Sequence, residues 1–294
     1  MKILSLIALL ISAAPLRAAE TAAFLNLGVG ARYLAMGGAG TALSDDANAL
    51  YWNAAGLGDA KREFTVSDME LQTDTRLDYA GYAQPTKLGT FAVGGAYLSQ
   101  STIEGRDANG HAIGGFNAAD AGVAVGYGRK TDLVDAGGTL KFIQSHIGSA
   151  QATTFAIDLG ARKRIGSVVL GAALRNLGPG MKFETERNDL PTRLAFGAAY
   201  KFEGGHALTA ELTDAPRAGG TDVGFGGEFQ GIKNVFLRAG YTTQTAISGG
   251  SSFDAARGLT LGVGFRAERW TIDYAAVPMG ELGSTHRFTV GARW

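Results

Sequence analysis

Apolar and polar residues alternate with a period of two along segment after segment of this chain, and the last segment shows it most cleanly. Between Thr285 and Trp294, Phe288, Val290, Ala292 and Trp294 fall on one face of a strand, while Arg287, Thr289, Gly291 and Arg293 fall on the other. Successive side chains of a strand point to opposite faces, so this pattern describes a ribbon that separates two different environments. One such strand is compatible with a soluble sandwich. What narrows the choice is how often the pattern recurs and how the connections between strands are sized.

Fourteen strand-like segments follow Arg62. They lie at 62–73, 75–84, 88–99, 119–129, 134–145, 152–162, 165–175, 191–202, 206–214, 221–230, 233–243, 257–267, 269–277 and 285–294. A tilted strand needs about 9–11 residues to span a bilayer, and most of these segments meet that length. In one of them Leu259, Leu261, Val263 and Phe265 oppose Thr260, Gly262, Gly264 and Arg266; in another Phe155, Ile157 and Leu159 oppose Ala156, Asp158 and Gly160. The connections after even-numbered segments are tight, as at Lys163-Arg164 and Ala267-Glu268, whereas 100–118, 176–190 and 244–256 are long and polar. Short turns on one rim and longer loops on the other predict an all-β fold: a transmembrane antiparallel barrel of about 14 strands over 62–294. A soluble sandwich would alternate as well, but it gives no reason for this odd-even rule.

The N-terminus agrees with export. Lys2, an apolar run from Ile3 to Ala14 and small residues to Ala19 read as a signal peptide over 1–18. No stretch approaches the roughly 20 apolar residues of a spanning helix. Cysteine is absent, which removes disulfides and thiolate metal sites, and 27 basic residues balance 27 acidic ones, which leaves no field for nucleic acid. Glycine is the compositional outlier, at 44 residues against 6 prolines. On the lumen face of a barrel it would relieve crowding where the wall curves or where another segment approaches. Bacterial barrels commonly end on an aromatic residue inside the last strand, which the barrel-assembly machinery reads; Phe288 and Trp294 are the expected assembly signal. The expected location is the outer membrane, with its lipid as a partner.

Residues 19–61 break the period of two. Their glycine-punctuated run carries Phe24, Tyr33 and Met36, then Asp45, Asp46, Asn48, Tyr51, Trp52 and Asn53. Ser44 or Asp45 is placed to cap a short helix that Gly56 and Gly58 would stop. Fourteen strands enclose more space than wall side chains fill. The segment is therefore expected to enter from the periplasmic side as a plug, with a periplasmic tether, or a pair of extra strands packed under the barrel, as the alternative. The nine residues just named are the candidate plug or ligand contacts.

Gly30-Ala31-Arg32, Met36-Gly37-Gly38-Ala39 and the run Asp45–Leu57 resemble the opening of the PorV/PorQ family, outer-membrane proteins related to FadL-type transporters of hydrophobic compounds. The resemblance is tight over Phe24–Leu57 and diffuse over the barrel. It departs at Asn53-Ala54-Ala55-Gly56, where the family usually has Asn-Pro-Ala-Gly, so a rigid turn is lost. The resemblance implies a fourteen-stranded barrel and a scaffold role in type IX-like secretion, with a secreted cargo protein as partner. The alternative is a FadL-like channel taking hydrophobic small molecules.

No catalytic constellation competes with these readings. Gly28-Val29-Gly30 and Gly38-Ala39-Gly40 lack the third glycine and the βαβ setting of a nucleotide loop. His111, His146, His206 and His286 show no ligand spacing. Ser145 and His146 are adjacent on a strand, so they point to opposite faces and cannot be catalytic partners. A non-enzymatic protein without cofactor or metal is expected. Lys141, Asp158, Lys201, Arg238, Arg266 and Asp273 are expected in the lumen, facing water and one another.

Overall fold

The computed structural model describes residues 20–71, 74–183, 185–244, 258–279 and 283–294. The expected signal peptide and most of the 244–256 loop lie outside these residues. The first seven strands are β1 (Glu63–Leu71), β2 (Thr75–Thr86), β3 (Gly89–Arg106), β4 (Ala112–Arg129), β5 (Asp135–Ile147), β6 (Ala150–Ile165) and β7 (Val168–Leu177). A small hairpin, β8 (Met181–Phe183) with β9 (Glu186–Asn188), follows. The remaining strands are β10 (Arg193–Lys201), β11 (Ala207–Asp214), β12 (Thr221–Ile232), β13 (Val235–Thr242), β14 (Leu259–Ala267), β15 (Trp270–Pro278) and β16 (Ser284–Arg293). All but β8 and β9 form one closed antiparallel barrel of fourteen strands. Closure is made by β1 against β16, in register from Glu63↔Arg293 to Glu70↔His286. Pairing every strand leaves no edge, the condition a sheet must satisfy inside a bilayer.

The alternation read from the sequence sorts the wall into two faces. On β16, Phe288, Val290 and Trp294 are exposed, whereas Arg287 and Thr289 are buried. Ala292 shares the outer face but is covered, with Phe64 and Trp270 as its cross-strand neighbours. Leu259, Leu261, Val263 and Phe265 likewise point outward from β14, as do Phe155, Ile157 and Leu159 from β6. Near the short-turn rim Phe64, Phe91, Tyr200, Phe229, Trp270 and Trp294 form an exposed aromatic girdle of the kind that marks a membrane interface. Tyr241 is not part of this girdle; it is buried and stacked on Phe225 at 5.6 Å.

Both ends of the barrel, Glu63 and Arg293, lie on the short-turn rim, which in outer-membrane barrels faces the periplasm. The opposite rim differs from expectation at 100–118. That stretch is not a loop: β3 and β4 continue as a paired ribbon to Arg106 and Ala112, well past the length a span needs. Gly and Ala enrichment there hid an ordinary ladder. Only 107–111 turns, held by the Asp107 carboxylate, which accepts from the backbone N–H groups of Asn109 and His111 at 2.8 and 2.9 Å.

Residues 20–61 run through the lumen. Glu20 sits beside the long-loop rim, where both its carboxylate oxygens accept from the Arg193 guanidinium at 2.7 and 2.6 Å. Asp59, near the other end, is bonded to Lys130 and Arg164 of the short-turn rim. The described segment therefore starts at the outer rim and descends, where the sequence reading had it entering from the periplasm. Its regular pieces are α1 (Ala31–Leu34), α2 (Ala49–Trp52) and 3-10 turns at Ala23–Asn26 and Ala54–Asp59. Such short pieces cannot stand alone, since isolated helices need about 12–15 residues. Burial against the wall stabilises them.

Candidate functional site

Wall glycines let the inner segment lie close. A Cβ on Gly226 or Gly240 would come within 2.5 Å of Met36 backbone atoms, and one on Gly171 within 2.6 Å of the Thr41 carbonyl oxygen. Gly137 faces the Ala54 backbone and Gly262 the Ala35 methyl in the same way. These glycines belong to five different strands, so the glycine excess of the sequence is largely the imprint of the segment on the wall. The segment bends to follow them: Gly37 and Gly38 take φ of 70° and 72°, a region that side chains with a Cβ enter at a cost.

Polar groups from the wall satisfy the irregular backbone, which buried loops require. Ala31 and Gly37 donate their N–H groups to Thr289 and Thr260 at 2.9 and 3.1 Å. Thr41 donates to the Glu211 carboxylate at 2.7 Å. The Asn53 amide donates to the carbonyls of Thr41, Ala161 and Ala172, and its Oδ1 accepts from the Ala55 N–H at 3.1 Å. Asn53 thereby caps the 3-10 turn at Ala54–Asp59.

The candidate residues divide into three places. Tyr33, Met36 and Trp52 share one buried cluster, with Tyr33 and Trp52 ring centroids 5.9 Å apart and Tyr51 edge-on to Trp52 at 5.0 Å. Phe24 joins a second cluster with Leu25 and Ile143. Asp45 and Asp46 point toward the short-turn rim and do not cap a helix through Ser44 or Asp45 as the sequence suggested. Asp45 instead pairs with Arg32 at 2.9 Å and Lys201 at 2.7 Å. Those cations outweigh burial and hold its carboxyl well below the usual range. Asp46 accepts from the Asn48 N–H at 2.9 Å, and burial followed by its neighbour Asp45 pushes its carboxyl up. Asn48 is buried beneath it.

Most of the lumen charges pair with one another in largely buried positions instead of facing water, and Arg266 makes no ion pair among the described residues. Lys141 meets Asp158 at 2.6 Å and Arg238 meets Glu228 and Asp273, both at 2.7 Å. Arg32 grips Glu228 with two nitrogens, at 3.0 and 2.9 Å. Ser145 is buried with Asp120 as its partner while His146 is exposed, so their opposite orientation holds.

Three cavities lined by described residues flank this core, beside smaller ones of about 10 Å³. An outer one of about 70 Å³ is lined by Leu25, Tyr51, Trp52, Arg175, Glu211 and Arg287 among others. An apolar one of about 50 Å³ lies beside β3 and β4, lined by Phe24, Leu50, Leu77, Tyr79, Ile143 and the glycines Gly94, Gly95 and Gly122. Leu25 and Tyr51 line both. The Tyr51 hydroxyl donates to the Leu25 carbonyl at 2.6 Å and accepts from the Gly28 N–H at 3.1 Å. Burial raises its pKa, so it stays protonated and keeps donating. Lys141 and Arg175 lie 5.7 and 6.0 Å from the Tyr51 ring centroid, within cation–π range. Arg175 and Glu211 were not singled out from the sequence; their one signal was a charge opposite the lipid face of a spanning strand. The third cavity, of about 400 Å³, opens at the short-turn rim and is lined largely by charged residues.

Among the described residues no cluster of three or more His, Asp or Glu could hold a metal ion. No protein-family model matches the sequence, and no curated protein matches it. Solved structures do. The toluene transporter TodX of Pseudomonas putida superposes with a TM-score of 0.66 at 14% identity, covering 94% of this chain and 98% of that one. A Pseudomonas aeruginosa FadL homologue gives 0.54 at 12% identity, covering 87% and 95%. The chain therefore shares the fold of FadL-type outer-membrane barrels. Its closed barrel with an apolar outer band is that of a bacterial outer-membrane protein.

Proposed function

We propose that this barrel is a channel for small hydrophobic molecules, and that residues 20–61 are its plug. One observation carries the reading: the outer cavity and the apolar cavity meet at Leu25 and Tyr51, on the plug itself. An apolar pocket with a few polar anchors is the usual form of a site for apolar ligands. The fold shared with TodX, a toluene transporter, supports the same substrate class. In this form the apolar cavity, about 50 Å³, is smaller than the roughly 150 Å³ that accepts benzene in an engineered core. Passage of a monoaromatic ring therefore requires Leu25 and Tyr51 to move. The scaffold role implied by the PorV/PorQ resemblance has no comparable support from the fold.

Uptake of labelled toluene by cells producing the protein, against cells producing an unrelated closed barrel at equal level, tests the channel. Faster uptake is expected, reduced when Leu25→Trp fills the junction. Equal uptake would sink it, and loss of a surface-held exported protein on deletion, with uptake unchanged, would favour the scaffold.

A further inference from the structure

The cavity at the short-turn rim is built for charge and not for hydrocarbon. Six cationic residues, Arg32, Lys61, Arg164, Lys201, Arg266 and Arg293, line it against three carboxylates, Asp45, Asp59 and Glu228. Most of the cations are engaged. Arg32 holds Asp45 and Glu228, Lys201 holds Asp45, and Arg164 holds Asp59. Arg293 is paired with Glu63.

Lys61, exposed on the rim, makes no ion pair among the described residues, and the other exception is Arg266. Its Nε is buried with no hydrogen-bond partner, and its side chain makes no ion pair among the described residues. The nearby acids are taken: Glu228 is shared by Arg32 and Arg238, and Asp273 is bonded to Arg238. Its guanidinium carbon sits 4.9 Å from the Phe236 ring centroid, which fixes the plane of the fork without neutralising it. A partly buried cation left without hydrogen bonds is costly to a fold unless something completes it. A guanidinium presents two parallel donors to a carboxylate, and Phe202, Phe236 and Ala207 give the same cavity an apolar wall.

We propose that this vestibule binds a small carboxylate with an apolar or aromatic body, and that Arg266 takes the carboxylate. The site lies at the opposite end of the lumen from the outer cavity and takes a different chemical class, so it does not depend on the channel reading. Its size, about 400 Å³, suits a single small organic acid.

The probes are benzoate, benzyl alcohol as its uncharged counterpart, and inorganic phosphate as charge alone. Each is titrated by calorimetry into the full-length protein in detergent. Benzoate is expected to bind at one site with benzyl alcohol and phosphate much weaker. Arg266→Gln should weaken benzoate roughly tenfold or more, the scale of a charged hydrogen bond, and Arg266→Lys should restore part of it. Lys61→Glu, at an exposed position on the rim, should weaken benzoate severalfold without touching the buried network. It provides a second reading if Arg266→Gln fails to give a heat-modifiable barrel. Wild-type benzoate affinity in either variant would overturn the proposal. So would phosphate binding as tightly as benzoate, which would make the vestibule a plain anion trap.

Discussion

The indole Nε1 of Trp52 donates to the carbonyl of Val29 at 2.9 Å, tying together two parts of the inner segment that lie 23 residues apart. The same ring fills the space over Gly40, where an added Cβ would come within 2.5 Å of it, and it packs on Tyr33. One side chain thus holds the first half of the segment on the second. The wall contributes Arg175, whose guanidinium lies 5.6 Å from the Trp52 ring centroid.

Trp52→Ala should therefore loosen the segment and leave the wall intact. Truncating a buried Trp costs about 3–5 kcal/mol in soluble cores, a large share of whatever holds four-residue helices in place. In planar bilayers the variant is expected to open more often and to higher conductance than the wild type, while still shifting on heating as an intact barrel. Unchanged conductance would mean that the segment does not close the lumen.

The glycine contacts give a second, independent handle. Gly226→Leu would drive a side chain into the Met36 backbone from the wall side, so the segment cannot seat there. Gly166 has φ of 59° in the turn between β6 and β7, with nothing within 4 Å of an added Cβ. Gly166→Asn should be mild, because Asn tolerates the left-handed region. Raised conductance in Gly226→Leu with near wild-type behaviour in Gly166→Asn is the expected pair. Equal effects would separate the glycines from the fit of the segment.

The barrel was legible because its physics is periodic. Lipid on one side and a polar lumen on the other impose a period of two that survives in Leu259–Arg266 and Phe288–Arg293 alike, and the strand count follows. The ribbon of β3 and β4 was missed because Gly105, Gly114 and Gly115 look like loop residues, whereas pairing beyond the membrane needs no apolar face. The path of the inner segment was not legible at all. Its direction is set by distant partners, Glu20 with Arg193 and Asp59 with Lys130, about which local sequence carries nothing. Trp52 and Tyr51 stood out as large apolar residues with no lipid face to occupy, but Arg175 and Glu211 read only as two more wall charges.

Neighbouring positions on β16 should fail in different ways. Phe288 is half exposed on the outer face and packs on Tyr274 at 5.0 Å, so Phe288→Asp puts a charge toward lipid. Arg or Lys at mid-membrane costs about 2–4 kcal/mol and Asp less, which is enough to reduce the yield of inserted barrel. Thr289 faces inward, and the period of two alone would make Thr289→Asp harmless. Its hydroxyl, however, accepts from the Ala31 N–H and bonds to Ser67 at 2.8 Å, in a buried setting. Thr289→Asp should insert normally yet disturb the segment, with raised conductance as the sign. Lost insertion in both variants would contradict this assignment of faces.

Asp45 and Asp46 should act in opposite directions as pH changes. Asp45 is held below its ordinary value by Arg32 and Lys201, so its contribution is present above the unfolded value, about 3.9, and is lost as pH falls through its folded value. Asp46 is raised, first by burial and then by Asp45 beside it. Its contribution is present below the unfolded value and is lost as pH rises through the folded one. At pH 7 the first carboxylate therefore tightens the segment and the second loosens it. Asp45→Asn should raise the frequency of open events at pH 7 and still do so at about pH 3, because Arg32 and Lys201 keep the wild-type Asp45 carboxylate charged well below its ordinary range. Asp46→Asn keeps an oxygen for the Asn48 N–H and removes a desolvated charge, so it should lower open events at pH 7. Conductance recorded from pH 7 down to pH 3 distinguishes the two. If both amides loosen the segment equally at neutral pH, the two carboxylates do not differ in the way their partners dictate.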